Sequence, residues 1–167
     1  MKSCLLFFMV LVGTIMNGQA QNNIDTTKQI IFVHLPDYYK EKGVIFSKDY
    51  VVGIEMKELQ SRYTPTIDDV TKAEQIFSKK YNEVQKANVD TKKFFCHWVR
   101  QYVGFIDING NKNIIVQFID NTKPNKINRL LGKDWENVFI IMLADSFYKV
   151  STIFRINIDT GEMSTQL

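Results

Sequence analysis

From residue 66 onward the apolar positions recur every three or four residues, at Val70, Ala73, Phe77, Tyr81 and Val84. That spacing lines them along one face of a helix. Lys72, Glu74, Lys79, Lys80 and Glu83 are read as its outer, solvated face, because both signs of charge are mixed there. Thr66 with Asp69 three residues on has the spacing of a capping box, and Pro65 lies just ahead. The pattern predicts one long amphipathic helix over residues 66–88.

Beyond the helix the period shortens to two. Residues 94–107 predict a long strand, Asn109-Gly110 a hairpin turn through its preference for positive φ, and residues 113–120 the returning strand. Two further strands are expected over 137–145 and 147–159. In the second, Tyr148, Val150, Thr152, Phe154, Ile156 and Ile158 alternate with Lys149, Ser151, Arg155 and Asn157, so one face is expected to be buried and the other wet or functional. Before the helix, "QIIFVHL" (29–35) reads as a short strand closed by Pro36, and residues 43–56 as one or two more. "KPNKINRLLGK" suits a short amphipathic helix, and "EMSTQL" the start of another strand. The sum is a single α+β domain, a helix covering one face of a curved antiparallel sheet of about four strands.

The first residues follow a different rule. Lys2 precedes an apolar run from Cys4 to Met16, followed by Gly18 and Ala20 at small-residue positions. This is the layout of a secretory signal peptide over residues 1–20, and the run is shorter than the ~20 residues that cross a bilayer. Residues 21–28 read as a flexible polar lead-in, and 29–167 as the domain. The protein is therefore expected in the periplasm or outside the cell, with no transmembrane segment once the signal is removed. Cleavage leaves 147 residues with 20 basic and 18 acidic side chains, too balanced to point to nucleic acid. It also leaves Cys96 without a cysteine to pair with inside the chain.

The order of elements is similar to a cystatin-like or NTF2-like layout. "RQYVGFIDINGNKNIIVQFID", the "TPTIDDVTKAEQIF" helix start and the signal peptide resemble small exported proteins of unknown function from Bacteroidetes-type bacteria. The resemblance covers roughly residues 60–160, implies a fold and a compartment, and carries no catalytic residue.

Motif chemistry is sparse. Cys96 and His97 are neighbours in the expected strand, where successive side chains point to opposite faces, so they cannot form a dyad with each other. Cys96 is expected in the core, on one face with Phe94, Trp98, Tyr102 and Ile106. His97 is expected among Phe95, Val99, Gln101, Val103 and Phe105 as a hydrogen-bonded residue. One cysteine and two histidines fall short of a zinc site, and "DINGNKN" departs from a calcium loop at its glycine and its twelfth residue. Phosphate loops and serine-hydrolase elbows are missing as well, so neither a metal nor a cofactor is called for. Trp135 between Asp134 and Glu136 could serve as a sugar platform, with packing as the competing reading. Lys123, Lys126, Arg129 and Lys133 could meet an acidic partner, with simple solvation as the competing reading.

These observations lead to a non-catalytic domain that binds a protein, peptide or small-molecule ligand through a sheet face and its loops, with Arg100, Tyr102, Lys149 and Arg155 as the binding residues. Two alternatives stay open. One is a small pocket hydrolase or isomerase using His97 or His34 as base, and the other is a structural component of the cell envelope.

Overall fold

The computed structural model describes residues 29–53, 55–140 and 145–165. The expected signal peptide and lead-in lie outside the described residues. In chain order the elements are β1 (Ile30–Val33), β2 (Gly43–Phe46), β3 (Leu59–Tyr63), α1 (Ile67–Gln85), α2 (Thr91–Phe94), β4 (Trp98–Asp107), β5 (Lys112–Asp120), α3 (Pro124–Leu131), a 3-10 turn (Trp135–Asn137), α4 (Asp145–Tyr148), β6 (Ser151–Asn157) and β7 (Met163–Ser164). The class is α+β, as the sequence suggests. The sheet is larger than expected, with seven strands among the described residues in place of about four.

Its order is β1-β2-β4-β5-β6-β7, and β3 joins β4 on the edge that β2 leaves open. Most neighbours are antiparallel, but β2 runs parallel to β4, with Gly43–Phe46 against Arg100–Val103, so the sheet is mixed. A parallel partner needs a long crossover. The chain supplies it by passing through β3, α1 and α2 before returning as β4.

α1 forms where the periodicity puts it. Thr66 Oγ1 accepts from the Asp69 N–H and Asp69 Oδ2 accepts from the Thr66 N–H, closing the capping box, and Lys86 ends the helix with left-handed backbone. Val70, Ala73 and Phe77 bury against the sheet as expected. Glu74 does too, although the charge pattern assigns it to solvent. It stands four residues after Val70 and three before Phe77, on the apolar stripe itself. Phe77 stacks on Phe118 at 4.3 Å and meets Phe95 and Phe154 edge-on. Burying a side chain of this kind contributes about 1.5–3 kcal/mol, so α1 is held chiefly by this aromatic cluster.

The other sheet face is covered too, which the expected wet face does not anticipate. Tyr50, Val52, Met56 and Phe139 pack over Val44, Phe46, Val103, Phe105 and Ile115, while Ile127, Trp135 and Val150 pack over Val99 and Ile119. Of the wet side of β6, Ser151 and Asn157 are buried and Arg155 is largely so.

Three expected strands change. The strand expected from Phe94 starts at Trp98, because Asp90 caps the one-turn α2 by accepting from the Lys93 N–H. The 137–145 strand does not form at 137–140 or at Asp145, while residues 141–144 lie outside the described residues. The 147–159 strand begins only at Ser151, after α4. The hairpin lies where the sequence puts it. Gly110 alone takes positive φ, at 83°, and Asp107 Oδ1 accepts from the Asn109 and Asn111 N–H groups, which makes a type I turn with a glycine bulge.

Candidate functional site

The four expected binding residues do not come together. Arg100 and Tyr102 point from β4 toward α1 and are 1% and 0% exposed, so they offer nothing to a ligand on an open face. Lys149 is exposed in the turn that precedes β6. Arg155 lies further along β6, on the opposite face from Tyr102, beside Ile115. Of the four, Arg155 lines the groove described below.

Arg100 and Tyr102 belong instead to an internal polar cluster. The Tyr102 hydroxyl donates to Glu74 Oε1 at 2.8 Å, Arg100 Nε lies 3.6 Å from the same oxygen, and the Arg100 Nη1 donates to the Phe95 and Trp98 carbonyls. The guanidinium is sandwiched between the Tyr39 and Phe118 rings, at 4.4 and 4.9 Å. Burial pushes the Glu74 carboxyl up from its ordinary range, against the opposing pull of Arg100 and Tyr102. Burial likewise pushes the Tyr39 hydroxyl up to about 12. Every member is buried, so the cluster can fasten α1 to the sheet but cannot reach a substrate.

The chemistry expected around Cys96 also relocates. The loss of strand geometry leaves Cys96 half-buried and His97 exposed in the turn before β4, with His97 Nδ1 3.5 Å from Glu41 Oε1. Phe94, expected in the core, is 52% exposed. His34 is exposed as well, and Phe77, Phe95, Phe118 and Phe154 fill the space between α1 and the sheet where a histidine-lined pocket would need room. Trp135 is buried with its Nε1 donating to Asn128 Oδ1, which settles it as a packing residue. Lys123, Lys126 and Arg129 lie on the exposed side of α3, over the buried Ile127, and Lys133 is exposed just beyond it.

An open concavity lies at the β6–β7 end of the sheet, a groove of about 690 Å3. Its walls are the Lys57-Glu58 turn, the C-terminal half of α1 through Lys80 and Glu83, and the turn from Thr160 to Ser164. Asn113, Arg155 and Asn157 line it from the sheet, on the face away from α1. Comparison with protein-family models, with curated proteins and with solved structures finds no match for this chain. The groove must therefore be read from its own chemistry.

Arg155 is held from within. Its Nε donates to Asn113 Oδ1 at 3.0 Å, its Nη2 lies 3.8 Å from Asp107 Oδ2, and the guanidinium carbon sits 5.1 Å from the centre of the Phe105 ring. Asn113 is positioned in turn by donating to Asp107 Oδ2 and to the Asn111 carbonyl. Burial pushes the Asp107 carboxyl up, but hydrogen bonds from Asn111, Asn113 and Asn109 outweigh it and hold the group below its usual range. On the groove side Glu58 Oε2 takes the Arg155 Nη2 at 3.0 Å. Glu58 itself adopts left-handed backbone, φ 62°.

Sequence reasoning missed Glu58, Asp107 and Asn113. Asp107 and Asn113 flank the hairpin turn that the sequence does mark, so their meeting follows from the turn. Glu58 is joined to the site only through the pairing of β3 with the far end of β4, and no local pattern announces that pairing. Among the described residues no group of three or more metal-ligating side chains gathers, and no helix is long and apolar enough to cross a membrane.

Proposed function

We propose that the protein is an exported, non-catalytic binding domain whose ligand, a protein segment, a peptide or a small molecule, docks in the groove at the β6–β7 end of the sheet. The observation that carries this reading is Arg155. An arginine fixed from below by buried partners yet 18% exposed into a groove of ligand size is a preorganised recognition group. The remainder of the lining is mostly charged or amide, with Lys57, Lys80, Glu58, Glu83 and Glu162 around it, and so suits a polar ligand. Export rests on the leader-like first 20 residues alone.

A photo-crosslinking residue at position 57 and a second at position 126, on the exposed side of α3, test the reading in the native host. Capture of one discrete species from position 57 and none from position 126 supports it. Equal capture from both, or none from position 57, overturns it.

A further inference from the structure

We propose that the ligand presents a carboxylate to Arg155, and that Glu58 occupies that place in the free protein as an internal, displaceable stand-in. The inference rests on the groove being the binding site and names the chemistry it selects.

The two sides of Arg155 differ. Asp107 and Asn113, which orient it from below, are 2% and 0% exposed and tied into the β4–β5 turn. Glu58 comes from a surface turn, its side chain is 51% exposed, and its contact is a single oxygen on Nη2. Exposed ion pairs of this kind are held weakly, because both side chains surrender rotamer freedom and water competes for the charges. A guanidinium matches a carboxylate best through two parallel N–H groups. The Glu58 contact therefore leaves part of the fork's capacity to a better-placed acid.

The backbone of Glu58 is a separate observation. Left-handed φ is unfavourable for a residue with a Cβ, and glycine would take it without penalty. The other non-glycine residue with positive φ, Lys86, ends a helix, where that conformation is the ordinary way to close the last turn. Glu58 takes it in the turn into β3, a position that glycine or asparagine would fill with less strain. Its carboxylate is what the position provides, and strained backbone of this kind gathers at ligand clamps. Once Glu58 swings out, Arg155 and Lys57 remain along the groove to attract an anion, while Lys80 is paired with Glu83 at 3.0 Å and Glu162 lines the same groove.

Four probes separate the sources of such a group. They are acetyl-tetraalanine with a free C-terminus, the same peptide amidated, an amidated acetyl-Ala-Ala-Glu-Ala, and succinate, each titrated calorimetrically into the full-length processed protein. Tighter binding of the free-terminus peptide assigns a peptide C-terminus, of the glutamate peptide an acidic side chain, and of succinate a small organic acid. Any of the three supports the proposal.

With Glu58→Gln the favoured acid should bind about two- to five-fold tighter, the factor that an exposed ion pair can withhold as a competitor. With Arg155→Gln it should lose at least about tenfold, the worth of a hydrogen bond to a charged group. Because Arg155→Gln disturbs buried partners, near-ultraviolet circular dichroism checks its fold, and the surface variant Glu58→Gln carries the test alone if that fold is lost. Acids that bind no better than the amidated tetraalanine, or an unchanged affinity in Glu58→Gln, overturn the proposal. If position 57 still captures a discrete ligand, that failure belongs to the carboxylate inference and leaves the groove reading standing.

Discussion

Replacing the two halves of the buried Glu74-Arg100 pair separately should give unequal costs that diverge with pH. Both side chains are almost completely buried, 2% and 1% exposed. Removing one partner of a buried pair typically costs about 3–5 kcal/mol because a charge is left unpaired. Glu74→Gln leaves Arg100 with two backbone carbonyls and two aromatic faces, so its cost belongs at the lower end, about 3 kcal/mol. Arg100→Met leaves a buried carboxylate with the Tyr102 hydroxyl as its donor, so at pH 7 its cost belongs near the upper end, about 5 kcal/mol.

Acid should rescue the second variant and not the first. Burial already raises the Glu74 carboxyl while Arg100 opposes it, and removing Arg100 removes that opposition. A carboxyl raised in the folded state favours folding below its unfolded value of about 4.3, and that advantage is lost as pH rises through the folded value. Within that window Arg100→Met should regain about 1.4 kcal/mol for each unit the pH falls. Glutamine cannot titrate, so Glu74→Gln should gain no stability from acid at this position, and its cost against the parent, whose raised Glu74 carboxyl still takes up a proton, should not shrink as the pH falls. Urea unfolding of both variants and the parent at pH 7 and pH 5 measures this. Equal costs that do not change with pH, or costs below about 1 kcal/mol, would show that the pair is not the buried ionic contact described here.

Gly43→Ala should destabilise the fold by about 1–3 kcal/mol through overpacking, since the new Cβ would lie 2.6 Å from the Tyr39 hydroxyl and 2.9 Å from Val33. Thermal denaturation reads the loss, and an unchanged midpoint would mean that Tyr39 moves aside freely. Thr66→Ala removes the acceptor for the Asp69 N–H and should cost about 1 kcal/mol, measured by urea titration, with no loss if Asp69 alone suffices to start α1. Cys96, half-buried in a turn, should be alkylated in the native protein at a rate within an order of magnitude of that in denaturant. A thiol silent until unfolding would restore the core placement that the strand reading implies.

What the sequence discloses here is what is decided locally. The capping box at Thr66 and the glycine bulge at Gly110 involve residues within four positions of each other, and both are legible. The apolar run from Val138 misleads because its hydrogen bonds are settled from a distance. The Gln101 side-chain amide donates to the carbonyls of Trp135, Glu136 and Val138, and that of Gln117 donates to Ile140. The carbonyls of Trp135, Glu136, Val138 and Ile140 are thus taken by side chains of the sheet beneath, without a neighbouring strand. β3 is hard to see for the opposite reason. Its five residues, LQSRY, are mostly polar and exposed, and Arg62 secures the segment through the carbonyls of Gly104, Tyr50 and Ser47.

The same logic explains why three of the four expected binding residues fall outside the groove and one within it. On β4, Arg100 and Tyr102 face α1 and Gln101 faces the 135–138 segment, so polar side chains on both faces of the central strand are used to dock a covering layer. A polar residue in the middle of a sheet covered on both sides serves that purpose, because any group left unpaired there carries a desolvation cost. At the end of the sheet β7 contributes two residues, and Lys57, Glu58, Lys80 and Glu83 border an open groove beside it. There a polar side chain can keep buried partners on one side and meet solvent on the other, and Arg155 is the residue placed to do so. Lys149 has the exposure without the buried partners, and Arg100 the partners without the exposure. Recognition needs both at once, which is why the reading of this chain converges on the end of the sheet and not on its face.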